Sequence, residues 1–335
     1  MHSKPRVEKM TTRLHILLCG LILVAAFTSN GAAQTKKVRV AIPGYTIAMV
    51  SLLAAKMNGY YVAEGLEAEL VAMQAPTANL ALVAGNVEFS AVPLAGLTTA
   101  MRGAPLKVLF CHFDKPQHVV FAKPEIQNIQ MLRGKKIAVG GLGVIDGILM
   151  KELLTMNGID VNRDATLLSV GASDTRFAAL VSGAVDAAVL IAPHTFNAKE
   201  AGLKELVAFK DQGFVLPSGG IVARDDLLKG DPAMVEKFVR ATLMGFLFTH
   251  DNRAGTIKVL ARSLKVDEQL AAKIYDGSRP TMTADGTLPD EAQKKMIALV
   301  SKLSGAKEAP ASERPFDFSV IRKAHATLRS KGWQP

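Results

Sequence analysis

The residues best suited to chemistry in this chain are hydrogen-bond donors rather than a nucleophile with its base. Arg176 stands in SDTRFAALVSGAVD (173–186), beside Ser173 and Thr175. A guanidinium in such a loop offers a two-pronged fork to a carboxylate or sulfonate, though a surface ion pair with Asp174 or another acid would account for it equally well. Thr77 holds the matching place in TANLALVAGNVE (77–88), where no charge stands opposite Arg176. Tyr45, in Pro43-Gly44-Tyr45-Thr46, can cover a ligand face and give one hydrogen bond. Of seven histidines, His112 and His118 are six apart with Asp114 between them, and His194, His250 and His325 are isolated. No HxxxH or CxxC spacing occurs, so no metal site is expected. No G-x-S-x-G elbow occurs either, and spacing supports no catalytic pair, so neither an enzyme nor a cofactor is expected. Gly141-Leu142-Gly143-Val144-Ile145-Asp146 comes close to a dinucleotide fingerprint, but Asp146 fills the third small position and would crowd the helix–strand contact. Close backbone approach to some other ligand is the better reading.

The two segments are copies of one pattern. Aligned without a gap they share Thr77/Thr175, Ala81/Ala179, Leu82/Leu180, Val83/Val181, Gly85/Gly183 and Val87/Val185. Each predicts a helix capped by its threonine, stopped by a left-handed glycine and followed by a buried strand. Around them strands and helices alternate: strands at 38–42, 66–73, 87–92 and 106–111, helices at 47–57, 77–84 and 94–101. That succession predicts a parallel, helix-covered sheet. Residues 112–135 break the rhythm, with HVVFA (118–122) as a short strand in a crossover. KKIAVGGLG (135–143) opens a second lobe, continued by helix 144–157, strand 166–170, the second copy and helix 194–201. IVARDDLL (221–228) reads as a return crossing, and the pattern after Pro232 is helical. The expectation is an α/β protein of two Rossmann-like lobes with a ligand cleft between them: residues 34–112 plus 222–335 in one lobe, 113–221 in the other. A cleft of that kind is a preferred place for a small molecule.

The first 33 residues read differently. A basic stretch precedes the apolar run ILLCGLILVAAF, which is too short to span a bilayer, and Gly31-Ala32-Ala33 suits cleavage before Gln34. Export through a cleavable signal peptide is therefore expected, with a soluble mature chain in the periplasm. Cleavage removes four basic residues and one acid, taking the net charge from +10 to +7. Without dense basic clusters or interleaved aromatics this excludes a nucleic-acid partner and mildly favours anionic ligands. Of the two cysteines only Cys111 would remain, so no internal disulfide is expected.

Several segments resemble one family in order and at family-like spacing: AAKMNGYYVAEGLEAELV (54–71), ALVAGNVEFSAV (81–92), TAMRGAPLKVL (99–109), LRGKKIAV (132–139), LVSGAVDAAV (180–189) and ARDDLLKGDPAMVEKFVRA (223–241). TADGTLPDEAQKKMIALV (283–300) and FDFSVIRKA (316–324) complete the series. The chain resembles ABC-transporter substrate-binding proteins of the nitrate/sulfonate/taurine type, which have the type II periplasmic binding fold. The resemblance implies a monomer that captures a small organic anion, a sulfonate or carboxylate with an aromatic body allowed, and delivers it to a membrane permease. It places the ligand among Tyr45, Thr46, Gln74, Thr77, Leu94, Leu142, Gly143, Val144, Ser173, Thr175, Arg176 and His194. Elementary physics points to the same loops, since ligands of open α/β sheets sit beyond the carboxyl ends of strands, against helix N-termini. GGLGVIDG lacks the hydroxyl that relatives often carry there, which shifts expectation toward a partly apolar ligand. A biosynthetic enzyme on the same scaffold, or a periplasmic ligand sensor, is the alternative.

Overall fold

A computed structural model describes residues 35–304 and 315–335; the expected signal peptide lies outside the described residues. The first lobe's elements begin with β1 (Lys36–Ile42), then α1 (Val50–Met57), which is entered through a 3-10 turn at Ile47–Met49. They continue with α2 (Tyr60–Ala63), β2 (Leu66–Ala72), α3 (Ala75–Val83), β3 (Phe89–Ser90), α4 (Pro93–Ala100) and β4 (Leu106–Phe113). A second series follows: β5 (His118–Ala122), β6 (Lys136–Val139), α5 (Ile145–Met156), β7 (Thr166–Ser169), α6 (Ser173–Val181), β8 (Ala187–Ile191), α7 (His194–Glu200) and β9 (Lys204–Ala208). The chain returns through β10 (Ser218–Arg224) and α8 (Asp225–Gly230). It ends in α9 (Pro232–Asp251), α10 (Arg253–Leu264), α11 (Glu268–Ser278), α12 (Asp290–Ser304) and α13 (Ser319–Ser330).

These strands form two five-stranded sheets, ordered β2-β1-β3-β10-β4 and β7-β6-β8-β5-β9. The first is not the parallel sheet expected from strand–helix alternation. β1 and β3 are parallel, but β10 inserts antiparallel between β3 and β4. The second lobe repeats the arrangement, with β5 antiparallel to both β8 and β9 and β6 parallel to β7 and β8. Alternation along the chain could not show this, because the inserted strand arrives from more than a hundred residues away.

The two copies of the repeat fold alike. Gly85 and Gly183 end α3 and α6 with φ of 76° and 78°, a conformation glycine adopts at little cost. The acid closing each copy ties the incoming strand to its neighbour. Glu88 accepts from the Arg39 backbone N–H at 2.7 Å and from its guanidinium, while Asp186 accepts from the Lys136 N–H at 3.0 Å and from Lys123 Nζ at 2.7 Å. The threonines do not cap as expected. Gln74 and Ala172 are the cap residues, which puts Thr77 and Thr175 in the first turn with exposed side chains. Pro76 explains the shift in the first copy, since its fixed φ and missing N–H suit the first helical turn.

α9 contributes a long buried face to the core of the first lobe. Phe238 of α9 stacks on Phe89 of β3 at 4.0 Å and on Tyr61 of α2 at 5.2 Å between ring centroids. At the far end of the chain Trp333 meets Tyr60 edge to face, 5.7 Å between centroids. A smaller core around Phe121, Leu180 and Leu190 serves the second lobe.

Candidate functional site

Between the lobes lies a cavity of about 90 Å³. The first residues of four helices face it: Gln74 and Ala75 at α3, Val92 to Leu94 at α4, Val144 to Asp146 at α5, and Ala172, Ser173 and Arg176 at α6. Ala48, Met49, Ile145 and Ile191 add apolar surface, and Pro217, Ser218 and Gly219 at the start of β10 form part of the wall. The lobes touch at the rim. Gln74 Nε2 lies against Gly171, where a β-carbon would stand 3.0 Å away, and Pro76 lies against Gly141.

Arg176 and Asp146 form the polar heart of the cavity. Their side chains are 5% and 3% exposed, and Arg176 Nη1 pairs with Asp146 Oδ2. Asp146 also accepts from the Gly140 N–H at 2.6 Å and the Gly147 N–H at 3.0 Å, so its carboxylate is held from three sides. Burial pulls the Arg176 guanidinium down to about 9, which leaves it charged at neutral pH. Arg176 Nε has no hydrogen-bond partner among the described residues. The surface pairing with Asp174 that the sequence allowed is replaced by a buried one with Asp146. The Asp146 carboxylate fills the space beside Gly140, just past the end of β6, where a β-carbon would stand 2.9 Å from its Oδ2. The tighter position is Gly147, where a β-carbon would stand 2.1 Å from the Gly141 carbonyl oxygen.

His118, at the start of β5, lines the cavity beside this pair with its Nδ1 unpartnered among the described residues. Burial, reinforced by the positive charge of Arg176, pushes its imidazole down to about 3. Ser173 is already engaged: its Oγ accepts from the Ile191 N–H at 3.1 Å and donates to the Ile191 carbonyl at 3.4 Å.

Of the residues expected at the ligand, Thr46, Gln74, Leu94, Val144, Ser173 and Arg176 line this cavity. Tyr45 and His194 line an adjoining outer hollow of about 450 Å³, which shares Thr46, Gln74 and Ser173 with the inner one. Tyr45 is 48% exposed there, and burial lowers the His194 imidazole against the opposing pull of Asp174. Thr77, Leu142, Gly143 and Thr175 are exposed and lie outside both linings, because the helices begin earlier than the threonines suggest and the glycine loop turns outward. Sequence reasoning missed Asp146 as a partner of Arg176, and it missed the Pro217–Gly219 wall. The Gly219-Gly220 pair before an apolar strand was the available signal for the latter. No cluster of three metal-binding side chains occurs among the described residues, and no described helix is long and apolar enough to cross a membrane.

Solved structures share this architecture at low identity. A protein of Bordetella bronchiseptica RB50 is 19% identical with a TM-score of 0.76, over 88% of this chain and 99% of that one. The alkanesulfonate-binding protein SsuA of Xanthomonas axonopodis pv. citri, solved with MOPS bound, is 18% identical with a TM-score of 0.69, over 86% and 97%. The desulfurization enzyme DszB, 15% identical with a TM-score of 0.63 over 88% and 100%, has the fold as well, so the fold alone does not separate a binder from a catalyst. In sequence, the riboflavin-binding protein RibY of Chloroflexus aurantiacus is 27% identical over 244 residues, which span 68% of this chain and 66% of that protein. The NMT1/THI5-like family matches residues 47–254, more than half of the chain. With its two α/β lobes closed around a cleft, this chain has the periplasmic binding protein fold and belongs to the NMT1/THI5-like family.

Proposed function

We propose that this protein is a non-enzymatic solute-binding protein of the periplasm, which captures a small organic molecule between its lobes and delivers it to an ABC permease as a monomer. The observation that carries the reading is the interlobe cavity: mostly apolar walls with one buried guanidinium in the lining, that of Arg176, whose Nε has no hydrogen-bond partner among the described residues. A buried donor costs free energy until something accepts from it, and a ligand is the acceptor such a site awaits. RibY and SsuA, which are named for binding riboflavin and alkanesulfonates, support a small organic solute.

Thr46, Gln74, Leu94, Val144, Ser173, Arg176 and His118 are the proposed inner contacts, with Tyr45 and His194 at the mouth. The sequence points to a sulfonate or carboxylate at the polar end of the ligand. The pairing of Asp146 with Arg176 favours a polar end defined by its acceptor atoms rather than by its charge. The proposed lobes, 34–112 plus 222–335 and 113–221, would close by hinging where the chain passes between the sheets, at 114–117 and 209–217; β10 begins at Ser218, so residues 218–221 go with the first sheet rather than with the second lobe.

Thermal-shift screening of sulfonates, carboxylates, amides and heterocycles, followed by solution scattering with a saturating hit, tests the reading. The radius of gyration should fall on binding. A bound ligand that produces no compaction would count against closure, and turnover of the ligand would count against a pure binder.

A further inference from the structure

The charge inside the cleft carries the reading further. Of the residues lining the inner cavity, only His118, Asp146 and Arg176 can ionise. His118 is neutral at physiological pH, and the other two cancel. Asp146 is held in place by geometry, accepting from the Gly140 and Gly147 backbone N–H groups and paired with the Arg176 guanidinium. A ligand carboxylate or sulfonate entering here would put a second anion against one shared guanidinium in a desolvated site, where like charges interact strongly. An uncharged acceptor meets no such penalty. It can still accept from the Arg176 guanidinium, whose Nε has no hydrogen-bond partner among the described residues.

We infer that Asp146 is the residue that sets ligand charge: by neutralising Arg176 it makes the cleft a receptor for the uncharged polar end of an organic molecule, such as a carboxamide, lactam or ring carbonyl, and turns organic anions away. The inference rests on the solute-binding reading and adds to it a specificity determinant. Asp146 acts through Arg176, so it is a positioning residue rather than a contact.

The test uses two charge-matched probe pairs, benzamide with benzoate and benzenesulfonamide with benzenesulfonate, titrated at pH 7 into the full mature chain. The readout is the arginine Nε–H resonance of Arg176, which reports directly on a new acceptor. In the wild type the amide member of each pair should shift this resonance at lower concentration than its acid. In Asp146→Asn, which keeps the shape and an acceptor but leaves Arg176 with a net charge, benzoate should bind roughly 10-fold or more tighter than in the wild type. Circular dichroism checks that the variant folds, and if it does not, the wild-type comparison decides alone. The proposal is overturned if the wild type prefers the acids, if no amide shifts the Arg176 signal, or if folded Asp146→Asn gains nothing for benzoate. Compaction of the wild type around an organic anion would remove the charge filter and leave the solute-binding reading standing.

Discussion

Gly219 and Ala48 meet backbone to backbone at the cleft wall: a β-carbon on Gly219 would stand 2.0 Å from the Ala48 carbonyl oxygen. Gly219 also sits at φ +71°, where an L side chain is strained. The contact joins the start of β10 to the 3-10 turn that leads into α1, two of the segments that line the cavity.

Gly219→Ala should therefore destabilise the protein by roughly 2–4 kcal/mol, combining left-handed strain with overpacking against backbone that cannot yield. Urea denaturation measures this. A loss of less than about 0.5 kcal/mol would mean that the wall is softer than the contact implies.

The buried pair gives a second expectation. Asp146→Ala leaves Arg176 charged, buried and unpaired, at a cost of about 3–5 kcal/mol. Arg176→Met on that background should recover a large part of the loss, because two apolar groups replace an orphaned charge. A double-mutant cycle by chemical denaturation provides the test, and strictly additive losses would contradict it.

Acid should weaken the fold through His118. Its imidazole sits near 3 when folded and near 6.5 when unfolded, so below about pH 6.5 the unfolded chain binds a proton that the folded chain refuses. Stability is then lost as pH falls, by up to about 1.4 kcal/mol per unit for this group between roughly pH 6 and 3. Buried His112 is shifted in the same direction and adds to the trend. His118→Gln should flatten a plot of melting temperature against pH from 7 to 4.5. Equal slopes in variant and wild type would remove His118 from the account.

Tyr61 supplies a smaller, cleaner measurement. Thr242 Oγ1 gives its only proton to the Phe238 carbonyl at 2.9 Å, so in the 2.9 Å contact between the two hydroxyls Tyr61 is the donor. Tyr61→Phe should cost about 1 kcal/mol while leaving the ring stacked on Phe238. A change of 3 kcal/mol or more would point to a rearranged core instead.

The parts of the fold with local causes were readable. β5 occupies the residues its β-branched run predicts, and the helices after Pro232 follow their apolar periodicity, with Asp231, Asn252 and Asp267 accepting at their N-termini. The repeat announced itself because a glycine and a closing acid, Glu88 in one copy and Asp186 in the other, recur where each helix hands over to a buried strand. What stayed hidden was non-local. The insertion of β10 depends on pairing with β3 and β4, and Asp146 and Arg176 stand thirty residues apart on different helices. Arg176 was visible as a donor, but its partner became visible only once the pairing of β6 with β7 and β8 had brought the first turns of α5 and α6 together.

Trp333 is the only tryptophan of the chain, and it rests on Tyr60 rather than in the cleft. Its emission therefore reports whether the C-terminal end stays docked, and the ligand chamber is optically dark. That darkness has a use: an indole placed beside the cleft, at exposed Leu142 for instance, would be the one tryptophan in that part of the described fold, and its signal could be read against Trp333 as an internal standard for folding.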